Sequence, residues 1–150
     1  MDVLLVEDNP GDIRLTLEAF AEANPSVALQ IAIDGREAMA ILRREGVHAH
    51  APRPDLILLD LNLPKMDGRE VLAQIKADDS LKLIPIVVLT TSDDDVDVRQ
   101  SYKLRANCYL RKPVELHLFE DLVKSIWDFW LTKASLPQSL RKELPAHPVL

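Results

Sequence analysis

Cysteine is almost absent. Cys108 stands alone among 150 residues, so no intramolecular disulfide framework is possible and nothing points to an oxidising compartment. Long apolar runs are also missing. No window approaches the roughly 18 uncharged apolar residues of a membrane-spanning helix, so none is expected. The opening MDVLLVEDNP has no basic region, and Glu7 and Asp8 interrupt its apolar run, which is unlike a secretory signal. There is no surplus of positive charge: 18 Lys and Arg face 24 Asp and Glu, a formal net charge of −6. Non-specific binding to nucleic acid or to an anionic membrane is therefore excluded as the main task. Glycine is scarce, with 4 residues, and 28% of the chain is charged, a composition that suits an enzyme and a signalling module equally. No internal repeat or low-complexity run is present. What remains is a soluble, cytoplasmic, acidic single domain, large enough to fold without staples.

What is present has a strong alternation. Apolar runs of strand length fall at 3–6, 27–33, 56–59, 84–89 and 108–110. Helix-period segments lie between and after them, at 10–23, 35–45, 69–77, 96–104 and 115–131. The runs 4–6, 56–59 and 86–89 are continuously apolar, as central parallel strands covered on both faces should be. The run 27–33 alternates and reads as an edge strand. Five β-α units predict a flavodoxin-like (βα)5 doubly wound α/β sheet with strand order 2-1-3-4-5. Asn9-Pro10, Asp34-Gly35 and Lys112-Pro113 punctuate the helix starts. Helix five carries Ile126, Trp127, Phe129, Trp130 and Leu131 within six residues, more than one buried stripe can use. A domain over 1–131 is thus followed by 132–150, a tail with Leu136, Leu140 and Leu144 at four-residue spacing. That tail reads either as disordered or as an arm that packs on something.

The chemistry-bearing residues sit at strand ends. Glu7 and Asp8 follow strand one, and Asp60 follows strand three. In the strand order 2-1-3-4-5 these two strands are neighbours at the crevice where ligands bind. Three carboxylates there repel one another unless a cation sits among them, and a hard divalent cation, Mg²⁺ above all, answers that need. Thr90 ends strand four and Lys112 follows strand five, which adds a hydroxyl donor and an ammonium at the same edge. Acids, a metal, a donor and an ammonium together make an apparatus for holding phosphoryl oxygens, with a carboxylate as nucleophile.

This set, Glu7-Asp8, Asp60, Thr90 and Lys112-Pro113, resembles the receiver domains of two-component response regulators. The segments LLVEDNPGD, LILLDLNLPKMDG, IVVLTTS and ANCYLRKP carry the resemblance over 1–131. LNLPKMDGREVL, SYKLRANCYL and IWDFWLTKASLP are similar to one branch, the single-domain regulators that partner phytochrome histidine kinases. The resemblance implies that Asp60 takes the phosphoryl group. It implies that Asp8, Glu7, Asp60 and the backbone carbonyl of Asn62 hold Mg²⁺. Thr90 and Lys112 would bind phosphoryl oxygens, Tyr109 would be the switch aromatic, and the Lys112-Pro113 bond would be cis. Many members carry two aspartates where this chain has Glu7-Asp8. The implied partners are a phytochrome-type sensor kinase and a second copy of the chain, with Trp127, Trp130, Leu131 and Leu136 at the interface.

Plainer readings apply elsewhere. His48 and His50 have no cysteine nearby and read as a solvated loop, not a zinc site. Asp93, Asp94, Asp95 and Asp97 lack the Gly and terminal Glu of a calcium loop and read as an acidic helix start. Cys108 lies in an apolar strand and is inert by default. Three rival functions stand beside phosphotransfer. A phosphatase-type enzyme with an aspartyl-phosphate intermediate needs an acid/base Asp where this chain has Asn62. A flavin or nucleotide binder needs a phosphate loop where this chain has Glu-Asp-Asn-Pro. The third rival is a dimeric scaffold that works without phosphorylation.

Overall fold

The computed structural model describes residues 1–137. Five parallel strands form one sheet: β1 (Asp2–Val6), β2 (Ala28–Ala32), β3 (Leu56–Leu59), β4 (Ile86–Thr90) and β5 (Cys108–Arg111). Their order is β2-β1-β3-β4-β5. They alternate with α1 (Pro10–Ala23), α2 (Gly35–Arg43), α3 (Gly68–Ala77), α4 (Asp95–Lys103) and α5 (Leu116–Ile126). The predicted flavodoxin-like architecture is the one observed. Leu140 and Leu144 lie outside the described residues. Among the described residues, no helix is long and apolar enough to cross a membrane.

The central strands are continuously apolar because the sheet divides two cores. Val3 and Leu5 of β1, Leu56 and Leu58 of β3, and Val87 and Leu89 of β4 face Phe20 of α1 and Phe119, Val123 and Ile126 of α5. Their alternate neighbours Leu4, Val6, Ile57, Leu59, Ile86 and Val88 face Met39, Ile41, Leu72 and Ile75 of α2 and α3. A side-chain period of two places each residue of such a run on the opposite side from the next. β2 and β5 are the edges, and both are only partly buried.

Side-chain caps fix the helix starts at the carboxyl edge of the sheet. Asn9 accepts from the Asp12 backbone N–H, Asp34 from Glu37, Asp67 from Arg69 and Asp94 from Val96. The Asp93–Asp97 acids therefore belong to the start of α4, and Asp95 and Asp97 lie in its first turn. Gly68 opens α3 where no side chain fits. A Cβ there would lie 2.2 Å from the Asp60 carbonyl oxygen and 2.6 Å from the Leu61 Cα. The Gly68 N–H instead donates to the Leu61 carbonyl at 2.9 Å, which folds the β3–α3 loop back over the strand end.

The last helix departs from the predicted single run to 131. After Ile126 it widens into π-helical turns over Trp127–Lys133. An α-helical period aims too few positions inward for this crowded aromatic run. With the wider turn, Trp127, Trp130 and Leu131 all pack half-buried against the α1–α5 core. Phe129 is left 53% exposed, edge-on to Trp130 with ring centroids 5.3 Å apart.

Candidate functional site

The strand ends deliver five side chains to one place. Glu7 and Asp8 follow β1, Asp60 follows β3, Thr90 closes β4 and Lys112 follows β5. Backbone bonds hold the strand ends in register: Asp60 N–H donates to Val6 at 3.0 Å, and Lys112 N–H to Thr90 at 2.7 Å. Glu7, Thr90, Asp60 and Lys112 are all buried, while Asp8 is exposed at the rim. Carboxylate oxygens of Glu7, Asp8 and Asp60 lie within 4.8 Å of one another.

Each Asp60 oxygen has its own donor. The Thr90 hydroxyl donates to Oδ1 at 2.8 Å, and the Asn62 backbone N–H reaches the same oxygen at 3.2 Å. The Lys112 ammonium donates to Oδ2 at 3.0 Å. It also donates to Glu7 Oε2 at 2.6 Å and to Asp12 Oδ2 at 3.0 Å. The sequence reading missed Asp12. An acid in a helix's first turn looks like an ordinary response to the helix dipole, and its distance of one turn from Asn9 hides its direction. No cis peptide bond occurs among the described residues, so the Lys112-Pro113 bond is trans, against the resemblance. The ammonium reaches its three carboxylates from that trans backbone.

Burial and charge pull the titrating groups apart. Burial is the main influence on Glu7. With the nearby Asp60 charge it outweighs the Lys112 hydrogen bond and raises the carboxyl from its ordinary 4.5 to about 7. Burial also acts to raise Asp60, but the Lys112 charge and the hydrogen bonds from its neighbours prevail and hold it below the usual range. Burial acts to lower Lys112, yet Glu7 and Asp60 hold it above its ordinary value, so it remains an ammonium. Burial thus favours the protonated form of Glu7, while the lysine favours the ionised form of Asp60.

That assignment has a measurable consequence. The folded chain keeps the Glu7 proton up to about pH 7, while the unfolded chain releases it near 4.5. Between those values the folded state binds more protons, so this group's contribution to stability falls as pH rises. Urea unfolding in metal-free buffer at about pH 5 and about pH 8 should reveal that loss. Glu7→Gln should remove it, so the variant gains on the wild type as pH rises. Equal pH slopes for the two proteins would place the proton elsewhere.

All three acids of the cluster offer hard oxygen ligands, and two of them are buried with one shared ammonium as counter-charge. Such a donor set fits a hard divalent cation held by Glu7, Asp8 and Asp60. Bound there, the cation would offset the negative charge of a phosphoryl group.

Tyr109 stands half-buried beside this centre, and its hydroxyl donates to the Ser92 carbonyl at 2.8 Å. The Ser92 hydroxyl donates to Asp97 at 2.6 Å, and Asp97 also pairs with Arg69 at 2.6 Å. The loop after Thr90 is thereby tied to α3, α4 and β5 together. Of the residues expected at an interface, Trp127, Trp130 and Leu131 are half-buried. Leu136, expected there too, is only 2% exposed within the single chain, so it packs in the chain's own interior and has no surface left for a partner.

Comparison with known proteins agrees with this geometry. The model of the response regulator receiver domain matches residues 3–124. Response regulator Rcp1 of Synechocystis sp. is 50% identical over 135 residues, which is 90% of this chain and 92% of that protein. The crystal structure of the phosphorylated cyanobacterial phytochrome response regulator RcpA superposes with a TM-score of 0.89 at 54% identity, covering 91% of this chain and 97% of that one. The Mn²⁺-bound form of Rcp1 gives a TM-score of 0.88 at 50% identity, covering 91% and 98%. With its sheet order, acidic cluster and strand-end donors, the chain belongs to the response regulator receiver domain family.

Proposed function

We propose that Asp60 accepts a phosphoryl group from the phosphohistidine of a phytochrome-type sensor kinase, with Mg²⁺ held by Glu7, Asp8, Asp60 and the Asn62 carbonyl. The P–N bond of the donor breaks, the imidazole leaves with the electron pair, and a P–O bond to Asp60 forms. One observation carries this reading: the two oxygens of a buried carboxylate are met separately by Thr90 Oγ1 and Lys112 Nζ beside two further acids. Both donors meet the acceptor's own oxygens, so a short movement would bring each to a phosphoryl oxygen. The chain is a phosphoacceptor, not an enzyme with a diffusible product. Thr90 and Tyr109 form the switch: Thr90 moves toward the phosphoryl oxygen, and the Tyr109 ring follows into the space released. Phosphorylation then selects one of two arrangements of the α4–β5–α5 face.

The test is intact mass after incubation with acetyl phosphate. One added phosphoryl group in Mg²⁺, and none in EDTA, is the expected result. A metal-independent gain, or none from either acetyl phosphate or a phytochrome-type kinase, would overturn the reading.

The kinase must reach the acidic edge, and exposed apolar side chains flank it. Val114 and Leu116 stand beside Lys112, while Leu17 and Ile33 line a groove that also holds Asp8. Exposed apolar surface of this kind favours a protein partner, and a receiver fed by a sensor kinase would meet it in the cytoplasm. The receiver spans 1–131, and 132–150 serves as an arm in a symmetric dimer that uses Trp127, Trp130 and Leu131. One observation supports a dimer: the exposed Phe129 and the half-buried Trp130 wall an apolar groove with Leu110 and Leu122. Phe129→Glu is expected to shift the chain from dimer to monomer in sedimentation velocity, with an unchanged circular dichroism spectrum. A monomeric wild type would remove this part of the reading.

A further inference from the structure

We propose that Asp12 is a positioning residue for Lys112, the carboxylate that keeps the ammonium in place while the other two acids do different work. The inference rests on reading Asp60 as the acceptor. An ammonium has three N–H donors, and here each meets a different carboxylate: Glu7 at 2.6 Å, Asp12 at 3.0 Å and Asp60 at 3.0 Å. Two of those partners are committed elsewhere. Asp60 must turn an oxygen to the incoming phosphorus, and Glu7 belongs to the acidic group suited to a divalent cation. Asp12 lies outside that group. Among the three, its carboxylate alone can stay with the lysine throughout the reaction.

The local structure is arranged for that task. Asn9, not Asp12, caps α1: its Oδ1 accepts the Asp12 backbone N–H at 3.1 Å. The Asp12 carbonyl accepts from the buried Thr16 hydroxyl at 2.7 Å. The backbone of Asp12 is thus held at both ends, which directs its side chain at Lys112. That side chain is 26% exposed against 5% for the lysine, so the contact closes the solvent side of the ammonium. Without it, Lys112 would have only partners that change during the reaction. An anchored charge aimed at developing phosphoryl charge acts more strongly than one that must first be reoriented.

The experiment compares wild type, Asp12→Ala and Asp12→Asn as full chains. In acetyl phosphate with Mg²⁺, the Asp60 oxygen attacks phosphorus, the P–O bond to the acetyl group breaks, and acetate leaves with the electron pair. Intact mass against time gives the rate. Asp12→Ala should slow labelling about tenfold, the size of one lost charge-assisted hydrogen bond. Asp12→Asn, whose amide oxygen still accepts from an ammonium, should recover most of that loss. The second measurement is the ¹H–¹⁵N signal of the Lys112 ammonium without any phosphodonor. Its hydrogen exchange should quicken several-fold in Asp12→Ala and not in Asp12→Asn. A change in helix stability alone would not move that signal selectively. Wild-type labelling by Asp12→Ala, an Asn variant as slow as Ala, or an unchanged Lys112 signal would each overturn the proposal. If the wild type takes no phosphoryl group, the acceptor reading fails, and the ammonium signal still decides whether Asp12 holds the lysine.

Discussion

Asp60→Asn is expected to abolish phosphoryl incorporation while leaving the fold intact. The loss of chemistry follows from the nucleophile, because an amide oxygen lacks the charge that attacks phosphorus. Survival of the fold follows from two opposing changes. Asp60 is held below its ordinary range, so its charged form contributes stability at neutral pH, and the substitution removes that contribution. The same charge helps to raise Glu7, so its removal lets Glu7 ionise more easily. The asparagine keeps an oxygen for the Thr90 hydroxyl, and Lys112 keeps Glu7 and Asp12. Intact mass with acetyl phosphate should show no added group under conditions that label the wild type fully. Thermal unfolding in metal-free buffer should show a near-native transition. Retained labelling would move the acceptor to another side chain. Loss of folding would mean that the carboxylate is structurally required.

Gly68→Ala should be strongly destabilising and should also slow phosphoryl labelling. A Cβ at position 68 would approach the Asp60 carbonyl oxygen to 2.2 Å and the Leu61 carbonyl oxygen to 2.9 Å. These obstacles are backbone, so no side-chain rotamer can relieve them. Either α3 lifts away from β3, which weakens the packing of Val71 and Leu72, or the strand end moves and carries Asp60 with it. Overpacking of this kind costs about 2 kcal/mol, with a loss of labelling rate beyond the stability effect because Asp60 is displaced. Urea unfolding gives the first quantity and the acetyl phosphate time course the second. An alanine variant with wild-type stability and rate would mean that the loop moves freely over the strand end. The close backbone approach at Gly68 is then not a constraint on Asp60.

Much of this molecule was legible along the chain, for identifiable reasons. A strand covered on both faces has no polar alternation, so Leu56-Ile57-Leu58-Leu59 announces a central strand. Repeated β-α alternation with right-handed crossovers announces a parallel sheet covered by helices on both faces, and the observed order β2-β1-β3-β4-β5 is one of the few such sheets allow. Strand ends in such a sheet converge, so Asp60, Thr90 and Lys112 could be assembled before any distance was known. Asp12 escaped that logic because it lies on a helix, and only the orientation of α1 against β5 decides what its carboxylate meets. The last helix escaped it too. Its aromatic crowding was visible, but the shift to π-helical turns over Trp127–Lys133 is a packing solution against the core that Phe20 of α1 and Phe119 and Val123 of α5 share.

The sequence by itself determined the architecture, the acceptor edge and the acidic character of the site, because periodicity and strand-end position are local properties. Only the tertiary structure decided how charge is shared there. Lys112 spreads one ammonium over Glu7, Asp12 and Asp60, and burial raises the Glu7 carboxyl while the lysine holds Asp60 low. Those outcomes depend on ångström distances between residues as many as 105 positions apart and on the loss of water around them, which no local pattern encodes.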